Sequence, residues 1–250
     1  MKISRQDRTL ILGSCFAANV GNRLAEEGFD VCLNPFGTIF NPASICNSIK
    51  RLDSAEPFRE EECVMMGAGA GLWCSFSHYT RFARPSKEEF LAGANEALKS
   101  SSEFFKGCDR VILTFGTAWV FRHGGMVVTN CLKLPSREFS REILSVDEIV
   151  GMYRPMLAEG GCLHGKEVLF TVSPIRHLAD GAHGNQVSKA TLLLAIDTLC
   201  REFPNCSYFP AYEIVLDELR DYRWYAEDKV HPSDEAVAVI WDHFKEAVLE

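Results

Sequence analysis

Two short stretches, more than two hundred residues apart, carry side chains that could do chemistry together. The first is Leu12-Gly13-Ser14-Cys15-Phe16-Ala17. It joins an apolar run, Thr9–Leu12, to a stretch with helical periodicity, Ala17 to Glu27. The amides that open a helix have no partner inside it and favour negative charge. A serine there can attack a carbonyl carbon while those amides receive the oxyanion. A serine there can equally be a helix cap. The second stretch is Asp228-Lys229-Val230-His231-Pro232-Ser233. An aspartate three residues before a histidine reaches one ring nitrogen and leaves the other facing out as a general base. The plain alternative is a solvated loop. Cys15, beside the serine, is expected to be a packing residue, because neighbours at such a turn point apart and one imidazole does not serve both.

A third polar stretch is Ser173 to Asn185. Arg176 suits a carboxylate or another anion. His177, Asp180 and His183 recur every three residues, so a metal site stands beside the readings of substrate contact and loop structure. Trp119 and Trp224 are candidate pocket walls, with burial as the default for aromatics.

Strand-like runs alternate with helical patterns. Strands are expected at Thr9–Leu12, Phe29–Leu33, Val111–Phe115, Val168–Val172 and Ser207–Phe209. Helices are expected after Asn41-Pro42, after Ser86 to about 101, from Ser145 to about 158, from about 185 to 202, and after Ser233. Gly124-Gly125 joins two runs into a hairpin, and the glycine-rich stretch 66–73 reads as a tight connection between short strands. Residues 53–85 and 119–140 read as irregular excursions from a single domain. The alternation predicts an α/β fold with a mostly parallel sheet, whose sites form at the C-terminal strand ends. The loops beginning at Gly13, Asn34, Gly116 and Ser173 are therefore the site loops.

The order of these stretches resembles the GSCFA family, which stands beside the SGNH (GDSL-like) hydrolases. The likeness rests on "GSCFA", "NPFGTIFNP", "LTFGTAWVF", "SPIRH" followed by "SKATL", and "DKVHPS", spread over residues 12 to 233. It implies a flavodoxin-like three-layer α/β/α sandwich and a serine esterase site. Ser14 becomes the nucleophile, His231 the base and Asp228 its orienter. Gly37 matches the glycine whose amide helps bind the oxyanion, and Gly116 the glycine of the next block. That block usually continues to an asparagine, and Ala118 stands there instead. Thr117 and Asn41 are the nearest replacement donors, although Asn41 also suits the helix cap.

The chain has 250 residues, 47% hydrophobic and 24% charged, with a net charge of −8. An acidic surface is a poor match to phosphate backbones, so no nucleic-acid partner is expected. No apolar run approaches the ~18 residues of a membrane span, and the apolar core of the first sixteen residues is too short for a signal peptide, so none is expected there. Ten scattered cysteines without metal-type spacing read as free thiols of a reducing cytoplasm. No cofactor is expected. The functional expectation is an esterase acting on an O-acyl group, with carbohydrate esters as the superfamily's analogy. An acyltransferase with the same triad, a non-catalytic binding module and a metal hydrolase are the rivals.

Overall fold

The computed structural model describes residues 1–250. In chain order the strands are β1 (Arg8–Gly13), β2 (Asp30–Leu33), β3 (Val64–Met65), β4 (Trp73–Cys74), β5 (Arg110–Phe115), β6 (Trp119–His123), β7 (Met126–Val128), β8 (Ser140–Ile143), β9 (Glu167–Val172) and β10 (Cys206–Phe209). The helices are α1 (Cys15–Glu26), α2 (Pro42–Ser54), α3 (Lys87–Lys106), α4 (Val146–Leu157), α5 (Gly181–Glu202), the single turn α6 (Ala211–Glu213) and α7 (Asp234–Val248).

Five strands form one parallel sheet in the order β10-β9-β5-β1-β2. Counting main-sheet strands along the chain, that is the 2-1-3-4-5 order of flavodoxin-like sheets, with its switch point between β1 and β5. Side chains alternate across the sheet because the strand period is two. Leu10, Leu12, Val111, Leu113, Phe115, Val168 and Phe170 pack with α2, α3, α4 and α5 in one cluster. Ile11, Ile112 and Leu169, one step out of phase, pack with α1 and α7 in the other. The result is three layers, α/β/α.

Local chemistry sets the helix starts. Ser14, Asn41, Ser86, Ser145 and Ser233 each accept a backbone amide as N-cap. Pro42 follows Asn41 at the first helical position, and Ser145 closes a full capping box with Glu148. Two boundaries differ from the periodicity. α3 runs on to Lys106, because Ser102 and Phe105 continue its buried stripe. α5 starts at Gly181, so His183 and Gly184 are helical and not part of a loop.

The two stretches expected to be irregular are organised. β6, β7 and β8 form an antiparallel sheet in the order β7-β6-β8, and β8 carries no clear alternation that would announce it. Residues 53–85 contain the β3–β4 pair and two short 3₁₀ turns. They also drive His78 and Cys74, both at 0% exposure, into the protein. The His78 ring is ringed by Phe36, Phe58, Phe82 and Phe90 at 4.5–5.3 Å between centroids. Tyr79 N donates to Phe36 O at 2.9 Å, and Arg81 Nη2 to Asn34 O at 3.2 Å. The excursion is thereby a packed brace behind the "NPFGTIFNP" loop.

All ten cysteines are free thiols. No helix is long and apolar enough to cross a membrane.

Candidate active site at the C-terminal edge of the sheet

Ser14 stands at the C-terminal end of β1 as the N-cap of α1. Its Oγ accepts from Phe16 N at 3.3 Å, and the residue is 1% exposed. The turn is tight. Gly13 has φ +152, and a Cβ there would lie 2.6 Å from Thr114 Cβ and O. Gly13 N donates to Asn34 Oδ1 at 2.8 Å. Asn34, itself at φ +44 and 2% exposed, keeps its Nδ2 buried without a partner. The sequence marked Asn34 only as the first residue of a site loop, directly after β2, and not as the partner of Gly13.

Asp228 and His231 form a closed unit. Asp228 Oδ1 accepts from Val230 N at 2.8 Å and from His231 N at 3.0 Å. Asp228 Oδ2 and His231 Nδ1 are 2.6 Å apart. The amide and ring bonds from His231 hold the Asp228 carboxyl down at about 2. An ionised carboxylate only accepts, so Nδ1 carries the proton and Nε2 is left as the basic nitrogen. The turn is fixed by neighbouring backbone as well as by Pro232. Ala226 N donates to His231 O at 2.8 Å and Ser233 N to Trp224 O at 2.8 Å. Trp224 thus serves this ladder and packs on the α1–α7 cluster, while Trp119 lies under the Arg141 guanidinium at 4.4 Å.

Two observations bring this unit to the edge where Ser14 lies. Arg176, in the loop after β9, donates from its amide to Val230 O and from Nη1 to Lys229 O, each at 3.0 Å. The ends of β1 and β9 are separated only by β5, about 10 Å at the usual strand spacing. Further, α7 descends from Ser233 alongside α1, and its last turn pairs with Ile3 below the sheet. Asp234 and Val237 share one surface depression with Asn19 and Arg23, and Arg23 lies over Trp241 at 5.9 Å. Both N-caps, Ser14 and Ser233, therefore open at the same edge. Ser14 and His231 are not hydrogen-bonded to each other: Ser14 Oγ accepts from Phe16 N and its O–H donates to no protein group, and the His231 side chain is 48% exposed.

The remaining expected residues redistribute. The Gly37 amide donates to Asn34 O at 2.8 Å, closing the Asn34–Gly37 turn at φ +90, so it is spent and not available to an oxyanion. The Gly116 and Thr117 amides both donate to Phe40 O, at 2.8 and 2.9 Å. The Thr117 hydroxyl bonds Ser188 Oγ at 3.1 Å and accepts from Trp119 N at 3.1 Å. In this structure the backbone amides of Gly37, Gly116 and Thr117 each donate to a carbonyl, while the Thr117 hydroxyl either donates to or accepts from Ser188 Oγ. Asn41 differs. Its Oδ1 caps Ser44 N at 2.8 Å, while its Nδ2 bonds no protein group. The cap and the donor readings are compatible in one side chain. Cys15 also departs from expectation: it is exposed, since α1 buries the stripe Phe16, Ala17, Val20 and Leu24. Desolvation by the surrounding protein pushes its thiol up, so it is no activated thiolate.

A family model, the GSCFA family, matches residues 8–244. The chain belongs to the GSCFA family. No curated protein matches it. Of the stretches that carried this resemblance, "SPIRH" and "SKATL" prove to be one structural unit in this GSCFA chain. Lys189 of the second is 1% exposed, and its Nζ donates to Gly116 O at 2.7 Å and Ser173 O at 2.6 Å. With no acid beside it, burial pulls its ammonium down to about 7. A lysine in the apolar stripe of a helix was the signal for it. His177 N donates to Asn185 Oδ1 at 2.9 Å. Burial first, and Lys189 next, pull its imidazole down to about 4, so it is neutral at pH 7. Asp180 is engaged by Arg141, and no group of three His, Cys, Asp or Glu side chains is gathered that could hold a metal ion.

Proposed function

We propose that this GSCFA protein is a serine hydrolase of the SGNH (GDSL-like) kind that cleaves an O-acyl ester. The observation that carries the proposal is the Asp228–His231 pair, 2.6 Å apart, docked at the sheet edge where Ser14 caps α1. Of His231 and His177, only His231 has a carboxylate of its own; Asp180, the acid near His177, is paired with Arg141.

In the proposed reaction His231 Nε2 takes the proton of the Ser14 hydroxyl as Oγ attacks the acyl carbon. Asp228 holds the tautomer and stabilises the imidazolium. The tetrahedral oxyanion is met by the free amides of the first turn of α1 and by Asn41 Nδ2. His231 then protonates the leaving alcohol, and water releases the acyl group by the same steps reversed. The Ser14–His231 contact forms in the substrate complex, as catalytic hydrogen bonds commonly tighten there.

The low exposure of Ser14 favours one rival, a binding module without turnover. Incubation with a fluorophosphonate, followed by mass spectrometry, separates the two. An adduct on Ser14 that vanishes in His231→Ala supports the hydrolase. A folded protein that takes no label and cleaves no activated ester overturns it.

A further inference from the structure

A cavity of about 210 Å³ opens beside the Asp228–His231 turn. Arg176, Tyr222 and Tyr225 line it together with the apolar Val215, Leu216 and Leu219. Arg176 links the cavity to the turn, since its Nη1 is the donor to Lys229 O.

We infer that this cavity binds a small organic carboxylate, the acid-bearing end of the ester on which Ser14 acts. The link to Ser14 rests on the hydrolase reading; the binding does not. Arg176 is half-buried and pairs with no carboxylate of the protein, and one carbonyl occupies one arm of its fork. Of the other charged groups at the rim, Arg220 pairs with Asp217 at 2.5 Å, and Asp221 accepts from Arg223 N at 3.0 Å and keeps its negative charge. A guanidinium partly withdrawn from water, with donors left over, selects a planar anion that takes two parallel hydrogen bonds.

The walls indicate what carries the carboxylate. The Arg176 guanidinium lies 5.1 Å from the Tyr225 ring and 5.6 Å from the Tyr222 ring, so the aromatic faces hold it in place. Tyr222 is 62% and Leu216 47% exposed, an apolar surface continuous with the cation. Ile214–Glu218 is wound as a π-helix, closed by Leu219 N donating to Ile214 O at 2.9 Å; such turns concentrate at functional sites. The volume is below the ~300–1,000 Å³ of drug-sized pockets, so the cavity takes a fragment and not a whole large substrate.

Calorimetric titration of the full chain with phenylacetate and with its neutral isostere phenylacetamide tests this. The acid is expected to bind about tenfold or more tightly than the amide, the loss of one charge-assisted contact. Arg176→Gln should abolish that preference and Arg176→Lys should reduce it. Tyr222→Ala should weaken both ligands, and Ser14→Ala should change neither. Equal affinity for acid and amide, no binding of the acid at millimolar concentration, or an unchanged preference in Arg176→Gln overturns the inference. Failure of fluorophosphonate labelling with the acid preference intact overturns only the role of Ser14.

Discussion

The ammonium of Lys189 donates to the carbonyl of Gly116, 73 positions away, at 2.7 Å. The same group holds Ser173 O, so one buried cation ties the C-terminal ends of β5 and β9 together. Both ends border the site, and the cost of burying the charge shows in an ammonium pulled down to about 7.

That cost gives stability a pH dependence. Between about 7 and 10.5 the unfolded lysine binds a proton that the folded one has released. Stability should therefore rise with pH across that window, by at most ~1.4 kcal/mol per pH unit. Denaturant unfolding of the wild type and of Lys189→Met at pH 7, 8 and 9 checks it. The variant should lose that rise and, with two carbonyls left unpaired, should loosen the loop at Ser173.

Asp228→Asn keeps the shape of the turn but offers an amide where the His231 ring needs an acceptor. The pair is half-exposed, so the melting temperature should hardly move. Ester turnover should fall by about 10²–10⁴-fold, through loss of the correct tautomer. A decrease in kcat without a matching change in melting temperature is the expected pattern.

Asn41→Asp separates two roles of one side chain. A carboxylate still caps Ser44 N, so stability should stay within about 0.5 kcal/mol. The Nδ2 donor is lost, and turnover should drop by about 10²–10³-fold. Unchanged turnover would leave Asn41 as a cap alone.

Gly13 and Gly28 make a matched pair of backbone tests. Gly28, at φ +86, faces open space, so Gly28→Ala should cost about 1–2 kcal/mol in backbone strain. Gly13→Ala puts a methyl 2.6 Å from Thr114, and overpacking of that kind adds ~1–3 kcal/mol. Gly13→Ala should also displace Ser14, and urea midpoints with fluorophosphonate labelling rates measure both effects.

His78 predicts acid lability. Its imidazole, buried in an aromatic cage, is pulled down to about 3 by burial first and by the Arg51 charge second. Between about 6.5 and 3 the unfolded histidine takes up a proton that the folded one refuses, so stability falls as pH falls. His78→Phe fits the cage, and Ser75 Oγ still accepts from Ser77 N at 3.2 Å. The variant should unfold less readily at pH 4 than the wild type, relative to each protein at pH 7.

The strands of the main sheet, the capping residues Asn41, Ser86, Ser145 and Ser233, and the Asp228–His231 contact were legible in the sequence. Each is local: strand and helix periods, a cap within three residues, and a carboxylate three residues from its histidine. The alternation of strands and helices also announced a parallel sheet, and the family motifs fell on its edge. Only the tertiary structure decided which amides near Ser14 remain free. Gly37 and Gly116 belong to the right loops, yet Asn34 and Phe40 have already taken their hydrogen bonds. It alone decided that residues 53–85 brace the site loop around His78, that Cys15 faces solvent, and that Lys189 lies beneath the edge. The reason is that a polar group's partner depends on which distant segment the fold sets against it, and neither composition nor period records that pairing.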